Sequence, residues 1–201
     1  MNEFVAQKNY IRARIKHERQ ALTSPFMQRS AIALLGHVSQ SQLIEEHDNI
    51  AFYLPTGGEI SCLPIIEYAL SQGKKCFVPK IVSTKKREML FLPYSGSDSV
   101  EKGQFGIPEP IADHSEAVKP TDLSLVFMPL VAFDKDGNRL GMGGGYYDTT
   151  FADVSQNQTG NPLLVGLAYN LQKVPQVPTD KWDLQMDAVI TPNNYHRFPK
   201  E

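Results

Sequence analysis

Cysteine is scarce in this 201-residue chain: only Cys62 and Cys76 are present, both in apolar segments. Two isolated cysteines build neither a disulfide framework nor a zinc site. Neither charge sign is in excess, with 20 basic residues against 22 acidic ones and a formal net charge of −2. A broad nucleic-acid footprint would show as a basic excess, so no nucleic-acid partner is expected. Histidines stand at 17, 37, 47, 114 and 196, and no pair has metal-ligand spacing. Long apolar runs are missing too. The longest, around Leu125 to Phe133, falls far short of the roughly 18 residues of a membrane span. The N-terminus reads as a charged helix, not as a signal sequence with an apolar core. The expectation is a soluble cytoplasmic protein that does not engage a membrane. Repeats, low-complexity tracts and linkers are also absent, which points to one domain over residues 1–201. Its 41% apolar content is enough to bury a substantial core.

What is present reads as alternating elements. Phe4, Ile11, Ile15 and Leu22 share one face at helical spacing, which predicts a helix over 3–22. Ser24-Pro25 marks the start of a second helix, running to about Ser39. Asn49 to Leu54 reads as a strand ended by Pro55-Thr56-Gly57-Gly58. Ser61 is a candidate cap for a helix from Cys62 to Gln72, with Gly73 as its stop. Lys75–Pro79 and Glu88–Leu92 read as short strands, and 94–122 as mostly loop. Leu123 to Leu130 is the strongest buried-strand signal, followed by a turn at Asp134–Asn138. Leu163–Ala168 and Ala188–Thr191 complete the strands. This order implies an α/β sheet covered on both faces, with ligands beyond the carboxyl ends of its strands.

The glycine run Gly141-Met142-Gly143-Gly144-Gly145 follows the strongest strand. Consecutive glycines cost backbone entropy and are kept where the chain turns through positive φ or approaches a ligand. Successive free N–H groups in such a turn make an anion nest, and a following helix adds its N-terminal partial charge. No Gly-Lys-Ser/Thr follows, so this is not a P-loop; Tyr146 stands where a dinucleotide fingerprint wants glycine. Tight packing of the loop against the sheet is the alternative to anion binding. Asp148 falls in the first turn of the next helix. It either complements the helix dipole or holds Mg²⁺, which takes one or two carboxylates beside phosphate oxygens. Asp134 and Asp136 lack the glycine and terminal glutamate of a calcium loop.

Lys8, Arg12, Lys16 and Arg19 form a basic stripe beside the apolar face of the first helix. Like charges at i,i+4 repel, and something negative nearby would relieve that. Either the stems snorkel along the core edge with their heads in water, or Lys8 and Arg12 reach a phosphate at a pocket rim.

Three separated motifs then agree: Lys8-x-x-x-Arg12; Tyr53-Leu54-Pro55 with Glu59; and Asn138-Arg139-Leu140-Gly141-Met142-Gly143-Gly144-Gly145-Tyr146-Tyr147-Asp148. Trp182-Asp183-x-x-x-Asp187 adds a fourth. In this order the chain resembles the 5-formyltetrahydrofolate cyclo-ligase (methenyltetrahydrofolate synthetase) family over almost its whole length. The resemblance implies a three-layer α/β/α, Rossmann-like, mostly parallel sheet. It implies closure of 5-formyltetrahydrofolate to 5,10-methenyltetrahydrofolate with ATP and Mg²⁺. It places ATP at Lys8, Arg12, Arg139, Leu140, Gly141, Met142, Gly143, Gly144, Gly145, Tyr146 and Tyr147. It places the folate at Leu54, Glu59, Met142, Gly143, Gly144, Gly145 and Tyr146. Glu59 and Arg139 fall to catalysis, and Asp148 and Asp187 to the metal. Some relatives carry arginine and lysine where this chain has Met142 and Gly144, so its phosphate charge must be met from other segments. Trp182 reads as a pocket-wall or packing residue, and at least one of Tyr146 and Tyr147 as core. A monomer is expected, with a dimer as the alternative. Two other readings stay open: a nucleotide- or folate-binding module without turnover, and a sugar-phosphate isomerase on a related scaffold.

Overall fold

Short apolar stretches bounded by turns become the sheet of this protein, whose computed structural model describes residues 3–96, 100–103, 108–152 and 162–199. Two helices open the chain, α1 (Glu3–Gln20) and α2 (Ser24–Gln40). Then come β1 (Asn49–Ala51), α3 (Leu63–Ser71), β2 (Lys75–Ser83) and β3 (Glu88–Pro93). A small hairpin, β4 (Val100–Lys102) and β5 (Pro108–Pro110), precedes the buried β6 (Leu125–Met128). A second hairpin follows, β7 (Ala132–Phe133) and β8 (Arg139–Leu140), and leads to α4 (Tyr146–Thr150). The chain ends with β9 (Leu163–Leu167), β10 (Ala188–Ile190) and β11 (Tyr195–Arg197).

Seven strands form one sheet in the order β11-β10-β9-β6-β1-β2-β3. The five inner strands are parallel, and β3 and β11 are antiparallel edges. Inner strands buried on both faces read as continuous apolar runs, as β6 does with all four residues buried. On one face α2 and α3 supply Leu34, Val38, Ile65, Ile66 and Ala69, packed on Ile50, Phe127 and Val165. The other face is covered unequally. Five-residue α4 and irregular segments bring Phe133, Phe151, Met186 and Phe198 onto Ala51, Val126 and Leu164. A third cluster seats Ile11 and Ile15 of α1 against Val131, Ala132 and Leu140 of the β7–β8 hairpin. The α/β architecture therefore stands as expected, with one layer built mostly without helix.

Several boundaries differ from the sequence reading. β1 stops at Ala51: Phe52 still donates its N–H to the Phe77 carbonyl at 2.8 Å, and beyond it the chain turns toward Glu59. Helix α3 starts at Leu63, with Cys62 in the cap position, the Ser61 hydroxyl accepting the Leu63 N–H at 3.3 Å and proline in its first turn. The 94–122 region holds the β4–β5 hairpin and two 3-10 turns, His114–Glu116 and Pro120–Asp122; 97–99 and 104–107 lie outside the described residues. Edge strand β11 carried no strong apolar pattern, since its residues are largely exposed. The glycine run does not follow β6 directly. The β7–β8 hairpin intervenes, turning at Asp134, whose carboxylate takes the N–H groups of Asp136 (3.0 Å), Asn138 (3.1 Å) and Val177 (2.9 Å). Backbone amides thus occupy the acid that resembled a calcium ligand.

β1 is flanked by β2 on one side and by β6 on the other. The connections from β1 and β6 therefore run in opposite directions, and a crevice opens beyond the carboxyl ends of these two strands.

Candidate active site

That crevice is a cleft of about 1160 Å³. Tyr53 and Leu54 enter it from the end of β1, and Pro129 and Leu130 from the end of β6. After Leu54 the chain turns through Gly57 (φ 55°) and Gly58 (φ 76°), a left-handed pair that returns Glu59 to the wall. From the sides, α1 supplies its whole basic stripe: Lys8, Arg12, Lys16 and Arg19 all line the cleft.

The glycine loop forms the facing wall. Arg12 Nε donates to the Gly141 carbonyl at 2.9 Å, so α1 and the loop are tied together. Gly143 lies at φ 102°, and a Cβ there would sit 3.5 Å from the Arg12 guanidinium. Gly145, at φ 69°, precedes α4. With only five residues, α4 brings a weaker dipole than a full helix would. Positive charge at this wall comes mainly from side chains.

Several of those side chains are already engaged. Lys8 donates to Asp180 at 2.9 Å and to Asp183 at 3.0 Å. Burial pulls its ammonium down, but these two carboxylates hold it above the ordinary lysine value. Arg139 is buried and donates to Asp148 Oδ1 at 2.6 Å, while the Leu184 amide donates to the same oxygen at 3.2 Å. Arg139 Nε is buried without a partner among the described residues. Burial lowers the Arg12 guanidinium from its usual value, opposed by Asp183.

Glu59 is a half-buried acid of the cleft wall. Burial pushes its carboxyl above the ordinary range, opposed by the Thr56 amide (3.0 Å) and by the charge of Arg19. Burial also pushes the Tyr147 phenol far up, and its hydroxyl has no partner among the described residues. The Tyr147 ring packs with Phe91 and Phe151, so this tyrosine joins the core.

The structure brings Lys8, Arg12, Leu54, Glu59 and every residue from Arg139 to Asp148 to one cleft. It does not bring Asp187 there. That carboxylate accepts the Leu164 N–H at 2.7 Å, where β10 begins beside β9. Leu164 pairs with Val126, four residues before Leu130 of the cleft. The two acids expected at the metal are thus separated, because Asp187 ties neighbouring strands together at the far end of the sheet. No group of three or more His, Cys, Asp or Glu among the described residues is arranged to hold a metal ion. Arg87, Asp180 and Glu109 also line the cleft and were not anticipated. Arg87 reaches the loop from the β2–β3 turn: a Cβ on Gly145 would lie 3.2 Å from its Nη1. Such long-range approach leaves no local sequence signal. Trp182 lines the mouth, 63% exposed.

A family model described as the 5-formyltetrahydrofolate cyclo-ligase family matches residues 5–192. A 5-formyltetrahydrofolate cyclo-ligase of Haemophilus influenzae is 37% identical over 186 residues, spanning 92% of this chain and 97% of its own length. The protein of that name from Mus musculus is 31% identical over 193 residues, spanning 91% and 92%. The NMR structure of 5,10-methenyltetrahydrofolate synthetase from Aquifex aeolicus superposes with a TM-score of 0.81 at 28% identity, covering 96% of this chain and 94% of that one.

Proposed function

The chain belongs to the 5-formyltetrahydrofolate cyclo-ligase family, and on that premise we propose that it closes 5-formyltetrahydrofolate to 5,10-methenyltetrahydrofolate at the expense of ATP. One observation carries the reading. A single cleft of about 1160 Å³ is lined jointly by the basic stripe of α1, the Leu54–Glu59 turn and the glycine loop. Pockets for one small ligand run to about 300–1,000 Å³, and this cleft lies just above that range.

The donor set suits a nucleotide triphosphate. Arg12 lies on the loop, Arg139 beneath it with an Nε unpartnered among the described residues, and Lys8 and Arg87 at the rim. In this reading Leu140 and Gly141 to Tyr147 cradle ATP through their backbone. Leu54, Glu59 and the face formed by Met142, Gly143, Gly144, Gly145 and Tyr146 take the folate. Mg²⁺ would rest on Asp148 together with phosphate oxygens, a donor set that this ion accepts. When bound it neutralises phosphate charge. Asp187 is assigned to strand pairing on its contact with Leu164.

The reaction balances without a covalent protein nucleophile. The formyl oxygen attacks the γ-phosphorus, the bond to the β-phosphate oxygen breaks, and ADP leaves. The folate N10 then attacks the activated carbon and loses its proton. The C–O bond breaks last, releasing phosphate and the methenyl cation. Phosphoryl transfer asks mainly for positioning and charge neutralisation, which Arg12, Arg139 and the loop supply. Glu59 would orient substrate N–H groups, as a half-buried carboxylate on the folate side of the cleft.

The test is direct. Protein, 5-formyltetrahydrofolate, ATP and Mg²⁺ are mixed and the ultraviolet absorbance of the methenyl product is followed. Product is expected only with all components present. No product, with both ligands bound, would leave a binding module; turnover of a sugar phosphate instead would favour the isomerase.

A further inference from the structure

Arg19, in the last turn of α1, is only 4% exposed. Burying a guanidinium is costly unless its donors are satisfied. Here only Nη2 is matched, donating to the Gly57 carbonyl at 2.9 Å, while Nε and Nη1 are buried without partners among the described residues. The fold tolerates this cation at a specific place. Gly58 packs directly on it: a Cβ there would lie 3.7 Å from the Arg19 carbonyl oxygen and 3.8 Å from its Cβ. Gly57 and Gly58, both at positive φ, make the turn that delivers Glu59. The groups whose charge couples to the Glu59 carboxylate are Arg19, Tyr53, Cys62 and Tyr147. Arg19 is the one cation among them. Arginine stays charged under such burial.

We propose that Arg19 is the positioning residue for Glu59, pinning the Gly57–Gly58 turn and holding Glu59 as a carboxylate that can accept substrate N–H groups. The proposal rests on the cyclo-ligase reading for the identity of the substrate, but not for the state of Glu59. Without the arginine, burial is opposed by Thr56 alone, through its amide and its side chain. The acid would then titrate at higher pH, and the turn would lose its anchor.

Two variants separate charge from anchoring. Arg19→Gln removes the charge and keeps an N–H donor for Gly57. Arg19→Lys keeps the charge and loses the planar fork. In both, kcat/KM for 5-formyltetrahydrofolate is measured against pH, with KM for ATP as the control. Arg19→Gln is expected to move the acidic limb to higher pH, a limb that Glu59→Gln abolishes. Arg19→Lys is expected to leave the limb in place and lower kcat/KM roughly tenfold, as one charge-assisted bond is lost. KM for ATP should change in neither. An unmoved limb in folded Arg19→Gln overturns the proposal. Where the variants do not fold, carboxylate infrared difference spectra of wild type minus Glu59→Gln decide it without turnover. Ionised Glu59 at neutral pH is the expected result, and a protonated Glu59 overturns it. Absence of methenyl product from wild type would instead sink the cyclo-ligase reading and leave the spectroscopic result standing.

Discussion

Arg12 spends its Nε on a loop carbonyl and its Nη1 on Asn9, at 2.9 and 3.0 Å, so its guanidinium reaches the cleft already oriented. Arg12→Ala should raise KM for ATP by roughly 10- to 100-fold, the worth of a lost charge-assisted contact, and change KM for the folate far less. Steady-state kinetics with each substrate varied would check this, and equal losses would point to damaged folding. Asp148 takes both Arg139 and the Leu184 amide on Oδ1. Asp148→Asn is expected to cut turnover by about 100-fold or more while folate binding, read by fluorescence, persists. Unchanged turnover would remove Asp148 from the chemistry. Glu59 gives a pH prediction. Burial raises its folded pKa above the unfolded value, so the native state binds the proton more tightly. That stabilisation is present at low pH and is lost as pH rises from the ordinary carboxylate range through the raised value. Glu59→Gln should therefore gain in Tm over wild type as pH rises through that window, while losing activity. A gain that shrinks with rising pH would contradict this. At this scale the sequence motifs were informative about which residues meet, since the basic stripe and the glycine run do share a cleft. The partners were not legible. Nothing near Lys8 in the chain announces Asp180 and Asp183, 172 and 175 residues away.

The glycine loop is the element on which the site depends. Gly143 at φ 102° has no unstrained alternative, and a Cβ would lie within 3.5 Å of Arg12. Gly143→Ala should cost about 1–3 kcal/mol of stability from backbone strain. It should also raise KM for ATP, because relief of that strain shifts the loop to which Arg12 is tied through Gly141. Thermal unfolding and kinetics together check it, and a variant with wild-type KM for ATP would show that the loop does not set the Arg12 position. Elements with a local signal were readable: α1 from Ile11 and Ile15 on one face, α2 from Ser24-Pro25, and β6 as a continuous apolar run. Those stabilised by long-range pairing were not. Hairpin β4–β5 begins and ends among glycines, prolines and charges, yet brings Pro108 and Glu109 to the cleft. The β7–β8 hairpin is two residues a side, held by α1 packing and the Asp134 turn, and no period shows in so short a strand. Likewise α4 reads as the start of a longer helix, because its five residues match a first turn.

Over the whole molecule, the cleft is shared by segments far apart in the chain: α1, the exit of β1, the β2–β3 turn, the loop after β8 and the Asp180–Asp183 turn. The parallel core with its reversal between β1 and β6 fixes where they converge. The alternation of strands and helices made that architecture legible, but not the thin second layer, where loops do what helices do on the other face. The central claim is that the shared cleft lets the formyl oxygen of one substrate take the γ-phosphoryl group of the other. The most direct measurement uses 5-formyltetrahydrofolate labelled with oxygen-18 in its formyl group, incubated with the protein, ATP and Mg²⁺. Methenyl product, ADP and phosphate are predicted to appear together, with the label in the phosphate. Methenyl product with the label in water, and phosphate unlabelled, would contradict the account.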